Sequence, residues 1–182
     1  MSRITTPATI TDAPAASQDL LTAVQKQLGS VPNLFRLIGT SPVALEGFLG
    51  LNGALGRSEL SAATRERISL AIAEYNGCDY CLAAHSFLGR NLTKLTDAEI
   101  IANRKGGSSD AKADAAVRFA LTVAEKRGHV SADVFNAVRA AGYSDAAIIE
   151  IIALIAVNVL TNYANSVLQT EVDFPVAEEL AV

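Results

Sequence analysis

Apolar residues recur every three to four positions along most of this chain, the spacing that lines one face of an α-helix. Leu20, Leu21, Val24 and Leu28 share such a face, and Gly29 is a natural stop. Residues 1–16, rich in Thr, Ala, Pro and Ser, read as an N-terminal arm outside the core. A turn at Ser30–Asn33 precedes a short helix carrying Leu34, Phe35, Leu37 and Ile38, and Thr40-Ser41-Pro42 opens another that runs to about Leu55. Ser61 is placed to cap the next helix, which carries Arg65, Glu66, Ile68, Leu70 and Ile72 until Asn76-Gly77 interrupts it. A segment from Cys78 to Gly89 follows, and Thr96-Asp97-Ala98-Glu99 has the form of a capping box. After a loop at Gly106–Ser109, helices are predicted from Asp110 to Arg127, Ser131 to Ala141, and Ser144 to about Gln169. No hairpin dipeptide separates two alternating runs. The pattern predicts an all-α protein, with the arm over 1–16 and one compact helical domain over 17–182.

Composition sharpens this picture. Half of the 182 residues are hydrophobic but only 5% are aromatic, so Ala, Leu, Ile and Val must build close-packed helices. A net charge of −4 disfavours a nucleic-acid partner or an anionic membrane surface, since phosphate binding needs a surplus of Lys and Arg. The apolar run Ala146–Leu160 is short of a membrane span and contains Glu150. No apolar leader core follows Met1, and the expected location is the cytoplasm. The only cysteines, Cys78 and Cys81, are two residues apart. A bond between them closes too small a loop to stabilise a fold, so the pair reads as redox chemistry or metal ligation in a reducing compartment.

On a helix, Cys78, Cys81 and His85 fall along one stripe, at spacings of three and four. An imidazole beside a thiol favours the thiolate, and a helix beginning at Cys78 would add the pull of its free N–H groups. A nucleophile, a base and a second thiol suffice for peroxide or disulfide-exchange chemistry. Glu66 lies 19 residues before His85, about 28 Å along a straight helix. It reaches the imidazole only if the chain folds back at Asn76-Gly77. Glu74 and Glu150 are the competing carboxylates. Other readings of the pair are two small buried hydrophobes or part of a zinc site with His85 and a carboxylate; against zinc stands the lack of a second ligand pair. His129 reads as a surface residue, and Tyr143 and Tyr163 as packing residues. A shift of 84 positions lays Glu66 on Glu150, Cys78 on Asn162, Cys81 on Asn165 and His85 on Gln169. Either a helical unit was duplicated or two Ala/Ile-rich helices match by chance.

Glu66, eleven residues, Cys78-Asp79-Tyr80-Cys81, three residues and His85 together resemble the motif of alkyl hydroperoxidase D-like proteins of the carboxymuconolactone decarboxylase superfamily. Asn158-Val159-Leu160-Thr161-Asn162-Tyr163 and Val172-Asp173-Phe174-Pro175 resemble its uncharacterised peroxidase-related branch. The resemblance implies a compact all-helical fold and a thiol-dependent peroxidase. In it Cys81 attacks a hydroperoxide, Cys78 resolves the sulfenic acid as a disulfide, and Glu66 and His85 relay the proton. It implies no haem, flavin or metal cofactor. It does imply an external dithiol reductant, such as a lipoylated protein, and a homo-oligomer, a trimer or its multiple. The best-known members carry a His between the cysteines, where this chain has Tyr80, which does not titrate near pH 7. The same superfamily holds lactone-acid decarboxylases, which have no use for a dithiol. A redox-sensing scaffold without turnover is the remaining alternative.

Overall fold

The computed structural model describes residues 2–178 and 180. Among them, nine α-helices follow a 3-10 turn at Ile10–Asp12: α1 Ala15–Leu28, α2 Asn33–Ile38, α3 Pro42–Leu55, α4 Ala62–Tyr75, α5 Asp79–Asn91, α6 Asp97–Arg104, α7 Ala111–Glu125, α8 Ala132–Ala140 and α9 Asp145–Leu168. The described residues contain no strand, as the hydrophobic periodicity requires.

Most helices begin where a short oxygen-bearing side chain caps them. Ser41, Ser61, Thr96, Asp110, Ser131 and Ser144 each accept a hydrogen bond from the backbone N–H three residues on, satisfying one of the donors a helix leaves free at its start. α5 alone is capped by sulfur, at Cys78.

α4 is the hub and packs against α5, α6, α7 and α9. Its stretch from Ile68 to Ala73 is buried on every side, with Ile68, Leu70, Ala71, Ile72 and Ala73 at no more than 1% exposure. A helix surrounded by others loses the polar face that a surface helix keeps. α9 crosses α3, α4, α5 and α7, and Ile148, Ile151, Leu154, Ile155 and Val157 lie in the core.

The N-terminus departs from the sequence reading. The arm over 1–16 is docked, and α1 already starts at Ala15. The Arg3 amide donates to the Leu168 carbonyl and its guanidinium to the Val167 carbonyl, Arg36 binds the Ala8 carbonyl, and Ala13 is buried in the core. Backbone carbonyls supply the acceptors, so no side-chain pattern announced the contact. α9 ends at Leu168, where the sequence placed its end, and its last turns bury Thr161, Asn162 and Asn165. By length and composition it could cross a membrane, yet half of its most apolar stretch is buried inside this fold. Its outward side carries Ile149, Ile152, Leu160, Tyr163 and Val167; Tyr163 is thus exposed where packing was expected.

Candidate active site

The turn between α4 and α5 builds the site. Asn76 ends α4, and Gly77 follows with φ of +63°, the left-handed region. The Gly77 N–H bonds to the Glu74 carbonyl and the Cys78 N–H to the Ala73 carbonyl, 3.0 Å each. This is a Schellman closure with glycine where the chain reverses hand. The residue it delivers next, Cys78, is already the cap of α5. One glycine therefore separates two helices, and α5 folds back along α4.

Folding back brings Glu66 to His85. His85 Nδ1 lies 2.9 Å from Glu66 Oε2, with about a fifth of each side chain exposed. A carboxylate can only accept, so Nδ1 carries the hydrogen and Nε2 is left for proton exchange. The competing carboxylates are engaged elsewhere: Glu74 pairs with Arg104 at 2.6 Å, and Glu150 accepts from the Glu59 amide at 2.9 Å.

Both cysteines are reduced and buried, Cys78 at 1% exposure and Cys81 at 3%. Cys78 Sγ accepts from the Cys81 amide at 3.3 Å, which caps the helix. Asn165 Nδ2, reaching across from α9, donates to Cys81 Sγ at 3.2 Å. Asn162 Oδ1 accepts from Asn76 Nδ2 at 2.8 Å, so the same helix also clamps the turn. Pattern reading missed this role for the asparagines; the 84-residue shift had set them opposite the cysteines. The positions meet by contact, and α9 has no break matching Asn76-Gly77.

The electrostatics separate the two thiols. The hydrogen bond from Cys78 is the largest influence on Cys81; burial opposes it, and the His85 charge and the two Asn amides add to it, bringing Cys81 from 9.0 down to about 6. Cys78, donating to that sulfur and itself buried, is held above its ordinary value as a neutral thiol. Burial pulls His85 down, but the charge and hydrogen bond of Glu66, with the Cys81 thiolate, outweigh it and leave the imidazole above its usual range. A thiolate, an imidazolium and a neutral thiol are the state this environment favours.

Tyr80 stands on the wall of the site. Its hydroxyl accepts from the Leu34 amide at 3.2 Å, and Phe174 meets the ring edge-on with centroids 5.8 Å apart. Burial pushes the phenol well above its ordinary range, so Tyr80 stays neutral. The segment bearing Phe174 is tied down by Asp173, which accepts from the Asn33 amide at 2.8 Å. His129 is exposed, as expected. Among the described residues no three His, Cys, Asp or Glu side chains are grouped to hold a metal ion.

Residues 42–126, which include all four candidate residues, match the family described as carboxymuconolactone decarboxylase. No curated protein matches the chain. In structure it resembles the alkylhydroperoxidase AhpD core of an uncharacterized peroxidase-related protein from Ralstonia eutropha JMP134, at 26% identity and a TM-score of 0.83 over 94% of this chain and 92% of that one. An uncharacterized peroxidase-related protein from Silicibacter sp. TM1040 aligns at 24% identity and a TM-score of 0.77, over 87% and 85% of the two chains. The debrominase Bmp8 aligns at 23% and 0.78, over 94% and 92%. The last two likenesses speak to the fold alone.

Proposed function

Because the chain carries a carboxymuconolactone decarboxylase family domain over residues 42–126, we propose that it is a thiol-dependent peroxidase acting through Cys78, Cys81, His85 and Glu66. The observation that carries this reading is the 2.9 Å contact of Glu66 with His85, one turn along α5 from a cysteine favoured as thiolate. The proton of Cys81 resides on His85. The thiolate attacks the terminal oxygen of ROOH, an S–O bond forms and the O–O bond breaks. The leaving alkoxide takes the proton from His85 Nε2, giving ROH and a Cys81 sulfenic acid. The Cys78 thiol then attacks that sulfur; the S–S bond forms and hydroxide departs with the Cys78 proton as water. The sum is ROOH plus two thiols giving ROH, water and a Cys78–Cys81 disulfide.

Glu66 holds the imidazole in one tautomer and stabilises its charge, the orienting role a third group plays in catalytic triads. An external dithiol, of which a lipoylated protein is one form, returns the disulfide to thiols. The outward stripe of Ile149, Ile152, Leu160, Tyr163 and Val167 supports self-association of the chain, since a run of apolar side chains along one helix is costly to leave in water.

The test is stoichiometric. Reduced protein treated with one equivalent of an alkyl hydroperoxide should lose both thiols and two hydrogens in mass, with one equivalent of alcohol released. Thiols that persist through an excess of several different peroxides would overturn the assignment.

A further inference from the structure

α9 lies outside the matched family segment, yet it supplies the polar groups nearest the candidate nucleophile. Asn165 is 3% exposed and its amide nitrogen donates to Cys81 Sγ at 3.2 Å. Asn162, one turn earlier and fully buried, is fixed because its oxygen accepts from Asn76. That leaves Asn162 Nδ2 buried with no hydrogen-bond partner. A buried amide N–H without an acceptor is costly and is kept only where something else is gained. The Asn162 amide is close enough to Cys81 to favour its ionised form, after Cys78, His85 and Asn165. A neutral thiol is a weak acceptor, whereas a thiolate accepts strongly from several donors.

We propose that Asn165 and Asn162 are positioning residues that hold the Cys81 sulfur in its ionised form from the α9 side, and so decide which of the two thiols attacks. The inference rests on the reading of Cys81 as the attacking sulfur. It gives a role to the orphaned amide and to two asparagines buried at no more than 3% on α9. It also explains how a sulfur so deeply buried can carry charge. His85 and Glu66 neutralise each other when both are ionised, so fixed dipoles must supply the remaining stabilisation. The ionisable groups around Cys81 are His85, Cys78 and Tyr80 on α5, Glu66 acting through His85 from α4, and Asp173 beside Tyr80 from the C-terminal segment. α9 faces the sulfur with amides.

The experiment measures sulfur acidity without any peroxide. In a Cys78→Ser background, which retains a hydroxyl donor and leaves one thiol, the rate of alkylation by iodoacetamide is followed from about pH 4 to about pH 10. Asn165→Leu, similar in volume but without a donor, should move the midpoint upward. The rate near pH 6 should then fall on the order of tenfold, with the high-pH plateau within about twofold of the parent. Asn162→Leu should move it in the same direction by less. Where Asn165→Leu does not fold, Asn165→Ala, which also lacks a donor, carries the same two readings. An unmoved midpoint, or a plateau that falls while the midpoint stays, overturns the proposal and makes the asparagines packing residues. A protein that shows the midpoint shift but consumes no hydroperoxide retires the peroxidase reading and leaves this inference standing.

Discussion

Replacing Gly77 with Ala tests the turn on which the whole site depends. Gly77 has φ of +63°, and a Cβ built there meets no heavy atom within 4 Å. The substitution therefore creates no clash, and its cost is conformational. Holding an L-residue in the left-handed region costs roughly 1–2 kcal/mol. The lower entropy of the unfolded alanine chain returns about 0.4–1 kcal/mol of that. The net expectation is a loss of about 1 kcal/mol. With a urea m-value of about 2 kcal/mol/M, this moves the midpoint down by about 0.5 M with an unchanged slope. Gly77→Asn should lose less, because asparagine tolerates this region, and Gly77→Val more, because a β-branched side chain does not. The backbone bonds from Gly77 to Glu74 and from Cys78 to Ala73, together with the packing of α5 on α4, hold the reversed residue in place. Thiol loss to peroxide should accordingly stay within about threefold of the parent under conditions where the variant is folded. Gly77→Ala as stable as the parent, or a series in which valine outranks asparagine, would refute a left-handed residue between the two helices.

Glu66→Gln keeps the shape of the contact and removes its charge. Proton NMR should show His85 titrating at lower pH than in the parent, and thiol loss to peroxide should slow by a factor on the order of 10². Alkylation of Cys81 in the parent should have its midpoint near pH 6, with reactivity falling tenfold per pH unit below it; a midpoint at the ordinary 9.0 would contradict the site electrostatics. Glu99 is buried; burial alone would raise its pKa, but Ser108, Ser109 and Asn103 hold the carboxyl well below its ordinary 4.5, and Arg67 lies 2.8 Å away. A depressed folded-state pKa gives stability that is full above the unfolded value and is lost as pH falls below it. Glu99→Gln should therefore flatten the fall in melting temperature below about pH 4.5, and an unchanged acid limb would argue against the network. Purified protein should hold no stoichiometric zinc; elemental analysis finding one zinc per chain, lost together with helicity on chelation, would replace the dithiol by a metal site.

The parts of the fold that could be read from the sequence are those set by local chemistry. Ser41, Ser61, Thr96, Asp110, Ser131 and Ser144 mark helix starts because a capping oxygen acts within three residues of itself. Asn76-Gly77 marks the reversal because glycine tolerates the left-handed region, and the reversal brings Glu66 to His85. What stayed hidden was long-range and polar. Arg3 finds backbone carbonyls 164 and 165 positions away, acceptors that every residue offers alike. The 84-residue shift set Asn162 and Asn165 opposite the cysteines, but polarity in a sequence does not say whether water or a sulfur is the partner. The apolar run Ala146–Leu160 was legible in the sequence, but its inner and outer faces were not separable until the packing was known.

The sulfur that caps α5 is also the sulfur the proposed cycle consumes. In the dithiol, Cys78 Sγ accepts the Cys81 N–H and steadies the first turn. Once that sulfur is bonded to its neighbour, it is a poorer acceptor, and the amide loses its partner. Each turnover would then uncap the helix and each reduction recap it. The two redox forms would then differ in the order of a helix end as well as in one covalent bond. A reductant that must recognise spent enzyme among a majority of fresh enzyme has that frayed end to read, and amide exchange at Cys81 would report the same distinction in solution.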